Sequence, residues 1–360
     1  MSAALGFPEI RFLMSDPALD TLLLPLEMEA VELAASARLL FLRARAGRGL
    51  SILKGRDVLC AQSFAPDRDA LQKAGFAVEA EAATDSFDAV LVLPGRQRQE
   101  ARAQLAQAVT RAKPGGVVMA CAPNTEGAKT LESDLAALLG GAEKLTKNKC
   151  RVVWQTNQPA GLNEALLKKW LALDVPRPIL EGVYVSRPGI FAWDRIDPAS
   201  KLLVDHLPES LKGRGADLGA GFGYLTRAVF EKASGVSAMD LYEAEKRALD
   251  LAEQNLAAFK GKRVMNGVWC DVTKGIEGPY DFAVSNPPFH QAGKADRADV
   301  GQGFIRAASA GLKPGGEFYM VANRHLPYEQ TLSQVFADVV QLADEGGYKV
   351  IRAVKSRGGR

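Results

Sequence analysis

Three short segments recur in the same order in the two halves of the chain, and this repeat restricts the fold more than any other feature. The pairs are KGRDVLCAQ (54–62) with KGRGADLGA (212–220), FDAVLVLPG (87–95) with YDFAVSNPP (280–288), and AKPGGVVMACAPN (112–124) with LKPGGEFYMVANR (312–324). Each contains a short apolar run bounded by glycine or proline, which is typical of a buried strand. The repeat therefore indicates one fold encoded twice.

Helical patterns between these strands, such as 98–112 and 241–259, predict an α/β fold with a doubly wound parallel sheet in each half. Gly55 precedes Asp88 by 33 residues, whereas Gly213 precedes Asp281 by 68. We therefore expect the N-terminal copy to be abbreviated, with about one strand-helix-strand unit missing.

The domain boundary is expected near residues 160–180, where an amphipathic helical pattern is followed by a stretch broken by prolines. A chain of 360 residues is long enough for two domains. The prediction is a first domain over residues 1–160, a linker over 161–180 and a second domain over 181–360.

Composition excludes several classes of protein. The four cysteines form no CxxC pair and no two of the three histidines are four residues apart, so we expect neither a zinc cluster nor another metal centre. No apolar run reaches the ~18 residues of a membrane span, and the N-terminus lacks a signal-peptide pattern. These features favour a cytoplasmic protein without membrane contact, and we expect a monomer.

A glycine-rich segment, DLGAGFG, follows the first expected strand of the second half and precedes a helical pattern. Asp217, Gly219, Gly221 and Gly223 are its candidate binding residues, because glycine permits sharp turns and close approach of the backbone to a ligand. The pattern alone is weak, since a dinucleotide-binding enzyme or a tight turn could also contain it.

Two further carboxylates make the prediction more specific. Asp240 ends the apolar run GVSAMD, where a carboxylate can accept hydrogen bonds from ribose hydroxyls, and Asp271 follows the next expected strand, where it could meet the adenine amine. Asp217 suits a ligand with an ammonium group. The set fits S-adenosylmethionine better than NAD, although either Asp240 or Asp271 alone could be a solvated acid or a helix cap.

The segment Asn286-Pro287-Pro288-Phe289 is expected at the carboxyl end of a strand, the edge at which open α/β sheets bind ligands. The prolines stiffen the backbone. The Asn286 side-chain oxygen and the Pro287 carbonyl could accept both N–H groups of a nucleobase amine, while Phe289 could stack on the base. The structural alternative is a proline-rich turn with a core aromatic residue.

With these motifs the sequence resembles class I S-adenosylmethionine-dependent methyltransferases of the Asn-Pro-Pro-[Phe/Tyr] type, and more narrowly the tandem-domain ribosomal RNA guanine-N2 methyltransferases. The narrower likeness includes LKPGGEFYMVANRHLPYE (312–329), GGYKVIRAVKS (346–356) and NKCRVVWQ (148–155). The resemblance implies two Rossmann-like domains, of which the first is degenerate.

The resemblance also implies residue roles. Asp217 and the three glycines would hold the methionine part of S-adenosylmethionine, Asp240 the ribose, Asp271 the adenine, and residues 286–289 the guanine, with Asn286 next to the cofactor as well. The implied reaction is methyl transfer to guanine N2 in ribosomal RNA, with 16S rRNA of the small subunit expected as the substrate. Since this reaction mainly requires alignment, neither His290 nor His325 is needed as a base.

In the first copy, residues 61–66 (AQSFAP) occupy the expected place of the glycine-rich loop, and Leu93-Pro94-Gly95 replaces Asn-Pro-Pro. We therefore expect this domain to be catalytically silent. The resemblance implies that it assists RNA recognition or folding. The lead-in at 184–203 is longer and more aromatic than in the family, which leaves open what covers the methionine end.

The net charge of +3 is too small for bulk binding of nucleic acid, so RNA contact would need a local patch. Basic residues gather in two stretches of the first half: Arg38, Arg43, Arg45, Arg48, Lys54 and Arg56, then Lys144, Lys147, Lys149 and Arg151. They are candidates for a phosphate-contacting face that binds ribosomal RNA or a ribosomal subunit; an ordinary solvated face is the alternative.

Other functions remain open from the residues alone. The amine could belong to adenine N6 or to a protein glutamine, since Asn-Pro-Pro-aromatic suits any planar NH2 group. The chain could also be a ribosome assembly factor that binds the cofactor without turnover, or a nicotinamide oxidoreductase.

Overall fold

The computed structural model describes residues 15–81, 84–288 and 294–358. The chain divides into two compact units. The first ends at Pro176 and also includes Arg187–Gly189; the second contains Arg177–Ser186 and the chain from Ile190 onward. Among the described residues no helix is long and apolar enough to cross a membrane.

The first unit is built on a sheet that has seven strands within the described residues, in the order β3-β2-β1-β4-β5-β7-β6. Strands β1 to β5 are parallel, and β7 runs antiparallel to both β5 and β6. The strands are β1 (Arg38–Leu42), β2 (Asp57–Ala61), β3 (Ala77–Glu79), β4 (Phe87–Val92), β5 (Ala112–Pro123), β6 (Glu143–Lys147) and β7 (Cys150–Thr156). The helices are α1 (Pro17–Glu27), α2 (Ala65–Lys73), α3 (Arg98–Arg111), α4 (Ala128–Leu139) and α5 (Glu164–Leu171).

The second unit begins with a two-stranded hairpin, β8 (Arg177–Ile179) and β9 (Tyr184–Ser186), followed by a second sheet. Its order, β12-β11-β10-β13-β14-β16-β15, repeats that of the first sheet. The strands are β10 (Lys212–Leu218), β11 (Gly235–Glu243), β12 (Val264–Trp269), β13 (Tyr280–Ser285), β14 (Leu312–Asn323), β15 (Asp338–Glu345) and β16 (Tyr348–Val354). The helices are α6 (Pro198–His206), α7 (Tyr224–Lys232), α8 (Lys246–Asn255), α9 (Lys294–Gly311) and α10 (Glu329–Val335).

Helices cover both faces of each sheet, which explains the continuous apolar runs in the central strands. In β1, Leu39 and Phe41 point into the core that contains residues of α1, whereas Leu40 and Leu42 point into the core that contains residues of α3. The predicted α/β fold with two tandem domains is confirmed.

The same ion-pair arrangement occurs in both units and shows which strands correspond. In the first, Asp88 accepts from the Arg38 backbone N–H at 2.8 Å and from Lys113 Nζ at 2.7 Å. In the second, Asp281 accepts from the Arg214 backbone N–H at 2.8 Å and from Lys313 Nζ at 2.6 Å. Strand β1 is therefore the counterpart of β10.

This correspondence corrects part of the sequence prediction. KGRDVLCAQ forms β2, which has the position of β11 and not of β10. Because both sheets have seven strands in the described part of the chain, the first copy has not lost a strand-helix-strand unit. The unequal offsets arose from comparing non-equivalent strands, which resemble each other because every central strand here carries the same apolar pattern.

The stretch predicted as a linker, 161–180, is folded. Helix α5 begins after Asn163, whose side chain accepts from the Leu166 N–H at 3.0 Å. Trp170 is buried, and the Arg102 guanidinium of α3 lies 4.8 Å from the centre of its ring. Most of the predicted linker is thus packed against the first unit's own helices.

Candidate active site

Two loops leave the carboxyl edge of the second sheet side by side. Strands β10 and β13 are parallel neighbours in which Leu218 pairs with Ser285, and Ser285 Oγ donates to the Leu218 carbonyl at 2.7 Å. The residues that follow are Gly219, which begins the glycine-rich loop, and Asn286, which begins the Asn-Pro-Pro segment. The fold therefore brings together the two motifs predicted to form the site.

The glycine-rich loop is held by the end of β11. The N–H groups of Gly219 and Ala220 donate to the Tyr242 carbonyl at 2.8 and 3.1 Å, and the Gly221 N–H donates to Glu243 Oε2 at 2.7 Å. Gly219, Gly221 and Gly223 all have positive φ, at 79°, 55° and 91°. This is the left-handed region that favours glycine.

Close packing also explains the third glycine. A Cβ at Gly223 would lie 3.2 Å from Ala252 of α8, so helices α7 and α8 approach each other through the bare backbone. A Cβ at Gly221 would meet no atom within 4 Å, which leaves that part of the loop open for a ligand.

The predicted lead-in packs on this loop from the outside. Tyr184 of β9 contacts the Phe222 ring edge-to-face at 5.5 Å between centroids. Asn255 joins the same parts, because its side chain donates to the Phe222 carbonyl at 2.8 Å and accepts from the Val185 N–H at 2.7 Å. Aromatic residues of the lead-in thus brace the glycine-rich loop.

Asp217 lies just before the loop and is fully buried. Its Oδ2 accepts from the Thr226 N–H and hydroxyl at 3.1 and 2.7 Å, while Oδ1 has no hydrogen-bond partner among the described residues. The pKa of Asp217 is raised to about 7, mainly by burial and also by the nearby Glu243 carboxylate, while the Thr226 hydrogen bonds act in the opposite direction. A buried oxygen without a partner is costly unless a ligand donates to it.

Asn286 presents a similar acceptor. Its Nδ2 donates to Asp197 Oδ2 at 2.9 Å and to Ser200 Oγ at 2.8 Å, both at the start of α6. Its Oδ1 is buried and has no partner among the described residues. The side chain is thus fixed with its acceptor oxygen available to a donor.

The rest of the Asn-Pro-Pro-Phe segment is only partly described. Pro287 is buried and Pro288 is exposed. Phe289 and His290 lie outside the described residues, so the predicted stacking role stays a prediction. His325 follows β14 and is exposed.

Asp240 is not where the sequence placed it. Strand β11 continues to Glu243, so the Asp240 carboxylate lies within the sheet, where it is buried. It pairs with Arg214 and accepts from Asn266 Nδ2 at 2.9 Å and from the Tyr280 hydroxyl at 2.6 Å. Since this carboxylate lies three residues before the carboxyl end of β11 and is buried within the sheet, this geometry argues against the predicted ribose role.

Glu243 is the acidic residue at the carboxyl end of β11, and the sequence analysis missed it. Its Oε2 accepts from the glycine-rich loop at Gly221, and its Oε1 accepts from the Glu245 N–H at 2.8 Å. Burial raises the pKa of the Glu243 carboxyl. The signal was present in the sequence, because two more apolar residues, Leu241 and Tyr242, follow Asp240 before Glu243.

Asp271 lies just beyond β12 at the same edge of the sheet. Its Oδ1 accepts from the Thr273 N–H at 3.0 Å and from the Thr273 hydroxyl at 2.6 Å, which caps a short 3₁₀ turn. The structural alternative, in which Asp271 caps a turn, is therefore observed. The predicted contact with adenine would use the same carboxylate and stays a prediction.

Comparisons with known proteins match the chain to methyltransferases. Residues 181–352 match the family model described as "Methyltransferase small domain". The ribosomal RNA small subunit methyltransferase C of Shewanella loihica is 30% identical over 275 residues, which cover 74% of this chain and 77% of that protein. The corresponding protein of Erwinia tasmaniensis is 36% identical over 182 residues, or 50% of this chain and 52% of that one.

This chain belongs to the ribosomal RNA small subunit methyltransferase C family. The solved structure of the T. thermophilus 16S rRNA N2 G1207 methyltransferase, in complex with AdoMet and guanosine, is similar over 94% of this chain and 92% of that one, with a TM-score of 0.78 and 26% identity. The predicted enzyme class is confirmed: the chain is an S-adenosylmethionine-dependent methyltransferase.

In the first unit of this methyltransferase the equivalent positions are filled differently. Counting from Arg38 and Arg214, Phe41 corresponds to Asp217 and Arg43 to Gly219. Phe41 is fully buried, and Arg43 keeps a positive φ of 54°. An aromatic ring thus replaces the acceptor carboxylate. The loop that corresponds to the glycine-rich loop is 43–47, not 61–66 as the sequence predicted.

A second pair of counterparts shows the same change. Leu42 pairs with Ala61 in the first sheet and Leu218 with Tyr242 in the second, so Gln62 corresponds to Glu243. Gln62 Nε2 donates to the Ala44 carbonyl at 2.6 Å. The neutral amide holds the loop but offers no charge to a ligand.

No group of three or more His, Cys, Asp or Glu side chains that could hold a metal ion occurs in the part of the chain that the structure describes.

Proposed function

We propose that this chain transfers a methyl group from S-adenosylmethionine to the exocyclic N2 amine of a guanine in 16S rRNA. The observation that carries the proposal is the buried Asn286 Oδ1, an oriented acceptor without a partner in the described structure, beside the glycine-rich loop. The T. thermophilus relative, whose complex contains AdoMet and guanosine, acts on guanine N2 of 16S rRNA and supports the choice of substrate.

The residues at the sheet edge fit S-adenosylmethionine. The unpartnered Asp217 Oδ1 can accept from the ammonium group of the methionine part, and the open backbone at Gly221 allows close approach. We propose that Glu243, in place of Asp240, binds the ribose hydroxyls and that Asp271 contacts the adenine. When bound, the cofactor supplies an electrophilic methyl group on a positively charged sulfur.

The protein's own contribution is alignment of the amine. Asn286 Oδ1 and the Pro287 carbonyl would accept the two N–H groups, which directs the nitrogen lone pair away from both acceptors. Positioning of this kind supplies about 7–11 kcal/mol of barrier reduction in well-oriented reactions. The proton can leave to solvent after transfer, so neither His290 nor His325 needs to act as a base.

The basic residues of the first half do not form one face. Arg38 and Arg56 lie at the amino ends of β1 and β2, whereas Arg43, Arg45 and Arg48 follow the carboxyl end of β1. Arg38 also pairs with Asp57 and Asp85, at 3.2 and 3.3 Å. The predicted first cluster is therefore divided between opposite edges of the sheet.

The second cluster is partly neutralised, because Lys144 and Arg151 both pair with Glu132. Lys147, the last residue of β6, and Lys149, in the turn that follows, are both exposed. Since Pro123 pairs with Cys150, this turn lies at the carboxyl end of β5, the same edge as Arg43 and Arg48. We propose this edge as the phosphate-contacting face for rRNA, and we retain a cytoplasmic monomer as our prediction for location and assembly.

The decisive experiment uses labelled S-adenosylmethionine with purified small subunits, large subunits and naked 16S rRNA, followed by mass-spectrometric mapping of the modified nucleoside. We expect N2-methylguanosine in 16S rRNA. Label in adenine N6 or in protein would replace the proposed substrate, and cofactor binding without any transfer would favour an assembly factor.

A charge-reversal variant tests the proposed face. K147E/K149E should weaken 16S rRNA binding and reduce the slope of affinity against salt by about 1.4 to 1.8, because each phosphate contact contributes about 0.9 to that slope in duplexes and 0.7 in single strands. Reversal of Lys54 and Arg56, at the opposite edge, is the matched control. Equal effects at the two edges would contradict this assignment.

A further inference from the structure

The start of α6 holds the amide of Asn286 through two acceptors. Asp197 is the residue before the helix, and its Oδ2 receives both the Ser200 N–H at 2.9 Å and the Asn286 Nδ2 at 2.9 Å. Ser200 is buried, and its Oγ receives the second Nδ2 hydrogen at 2.8 Å. Both N–H groups of the amide are therefore occupied by one helix end.

The chemistry of Asp197 decides which way the amide points. The two ends of an asparagine amide are nearly equal in shape, and a hydroxyl such as Ser200 Oγ could face either. An ionised carboxylate only accepts, so Asp197 selects the orientation in which Nδ2 faces α6 and Oδ1 faces away. The reverse orientation would place two oxygens within 3 Å without a hydrogen between them.

The carboxylate itself is held in place. It caps α6, whose first residue, Pro198, has a fixed φ suited to a helix start. Asp197 is thus less free to turn away from Asn286 than a carboxylate on a loop. Its contact with Asn286 spans 89 residues of sequence and ties the lead-in to the Asn-Pro-Pro segment.

We propose that Asp197 and Ser200 are positioning residues that make Asn286 a fixed acceptor and so restrict the site to substrates that donate hydrogen bonds. This inference rests on the proposed function and deepens it. A locked amide favours an exocyclic NH2 group such as guanine N2 and disfavours a carbonyl edge, because a carbonyl would face Oδ1 without a hydrogen. Asp197 and Ser200 act only through Asn286 and do not contact the substrate.

The test measures kcat on 16S rRNA and the Kd for S-adenosylmethionine for a small set of variants. D197A should lower kcat by about 10- to 100-fold, the range expected when a buried orienting hydrogen bond is lost. The cofactor Kd should stay within about twofold. D197N should retain more activity than D197A, because the asparagine oxygen can still accept from Nδ2 and from the Ser200 N–H.

Three further variants separate positioning from folding. D197S keeps a residue that caps helices well but shortens the side chain, so it should melt near the wild-type temperature and still lose kcat. S200A should lose less activity than D197A. S200T, which keeps a hydroxyl at this position, should be more active than S200A.

A double-mutant cycle gives the sharpest readout. If Asp197 acts only through Asn286, D197A should reduce kcat no further in an N286A background, whereas a general structural role would give additive losses. Additivity, or wild-type kcat in both D197A and S200A, would overturn the inference. The wild-type protein in the same assay keeps the two proposals apart, since absence of N2-methylguanosine there refutes the proposed function.

Discussion

At the scale of single residues, the raised pKa of Asp217 predicts that cofactor binding depends on pH if this carboxylate binds the ammonium group as proposed. Its pKa is raised to about 7 by burial, so the ligand-free protein holds a proton there that the unfolded chain, with an ordinary value of 3.8, has lost. The folded state is therefore destabilised as the pH rises between these values. A bound ammonium group would reverse the preference by favouring the ionised carboxylate.

Cofactor affinity should therefore rise with pH until about 7. We expect the Kd for S-adenosylmethionine to fall by about 3- to 10-fold between pH 5.5 and pH 7, measured by isothermal titration calorimetry, with release of protons. D217N should bind more weakly and lose most of this dependence. Glu243 also has a raised pKa, so E243Q is the control that shows how much of the slope belongs to it. An unchanged slope in D217N would refute the role of Asp217.

The two acidic residues of β11 should differ in what they do. E243Q should raise the cofactor Kd by about 10-fold, as expected for loss of a charge-assisted contact, and should lose less stability than D240N, because the glutamine oxygen can keep one of the two backbone N–H groups that Glu243 accepts. D240N should instead lower the free energy of unfolding by about 1–3 kcal/mol, because Arg214 and Tyr280 lose a charged partner. Calorimetry and denaturant titration of both variants check this, and exchanged phenotypes would restore the original assignment to Asp240.

These residues also show what the sequence could and could not predict. Asp217, the glycines and Asn286 were placed correctly at the sheet edge because each belongs to a local motif with a fixed strand-to-loop context. Asp240 was misplaced because a charge normally ends a buried strand. Here Arg214 and Tyr280, distant in sequence, compensate the buried carboxylate and allow the strand to continue to Glu243.

At the scale of elements, different glycines of the glycine-rich loop should serve packing and ligand access, and substitutions can separate the two. G223A should lower the melting temperature markedly, because its Cβ would press on Ala252 of α8 and its φ of 91° disfavours alanine. A Cβ at Gly221 meets open space, so G221A should be destabilised only by about 1 kcal/mol of backbone strain. Its cofactor affinity should fall more than that of G223A. Thermal melting and calorimetry compare the pair; equal melting temperatures would contradict the packing argument.

The repeat itself was predicted at this scale, but its register was not. The prediction paired KGRDVLCAQ with KGRGADLGA, which are identical at three of nine aligned positions, and missed the true counterpart, RLLFLRARAG (38–47), which is identical to RGADLGAGFG (214–223) at four of ten. The true counterparts also share a backbone contact, which joins Arg38 to Asp88 in the first unit and Arg214 to Asp281 in the second. The arginine of this contact is the same residue type in both copies, but a few shared residues spread over an apolar strand are not enough to fix the register from sequence alone.

At the scale of the whole molecule, one fold occurs twice, but the candidate site residues occur in the second copy and are replaced in the first. In the first unit Phe41, Arg43 and Gln62 stand where Asp217, Gly219 and Glu243 stand in the second. The Phe41 side chain is fully buried and, unlike the Asp217 carboxylate, has no oxygen that could accept from a cation. We therefore expect one molecule of S-adenosylmethionine per chain in a calorimetric titration.

The R43A variant tests whether the first unit contributes to rRNA binding and not to cofactor binding. R43A should leave the cofactor Kd within about twofold of wild type, because Arg43 lies at the unit that lacks the acceptor carboxylate. It should weaken rRNA binding and reduce the salt slope by about 1 if Arg43 contacts a phosphate. The paired measurement is decisive, since a stoichiometry of two, or a cofactor Kd that changes with R43A while rRNA affinity does not, would mean that the first copy has kept a cofactor site.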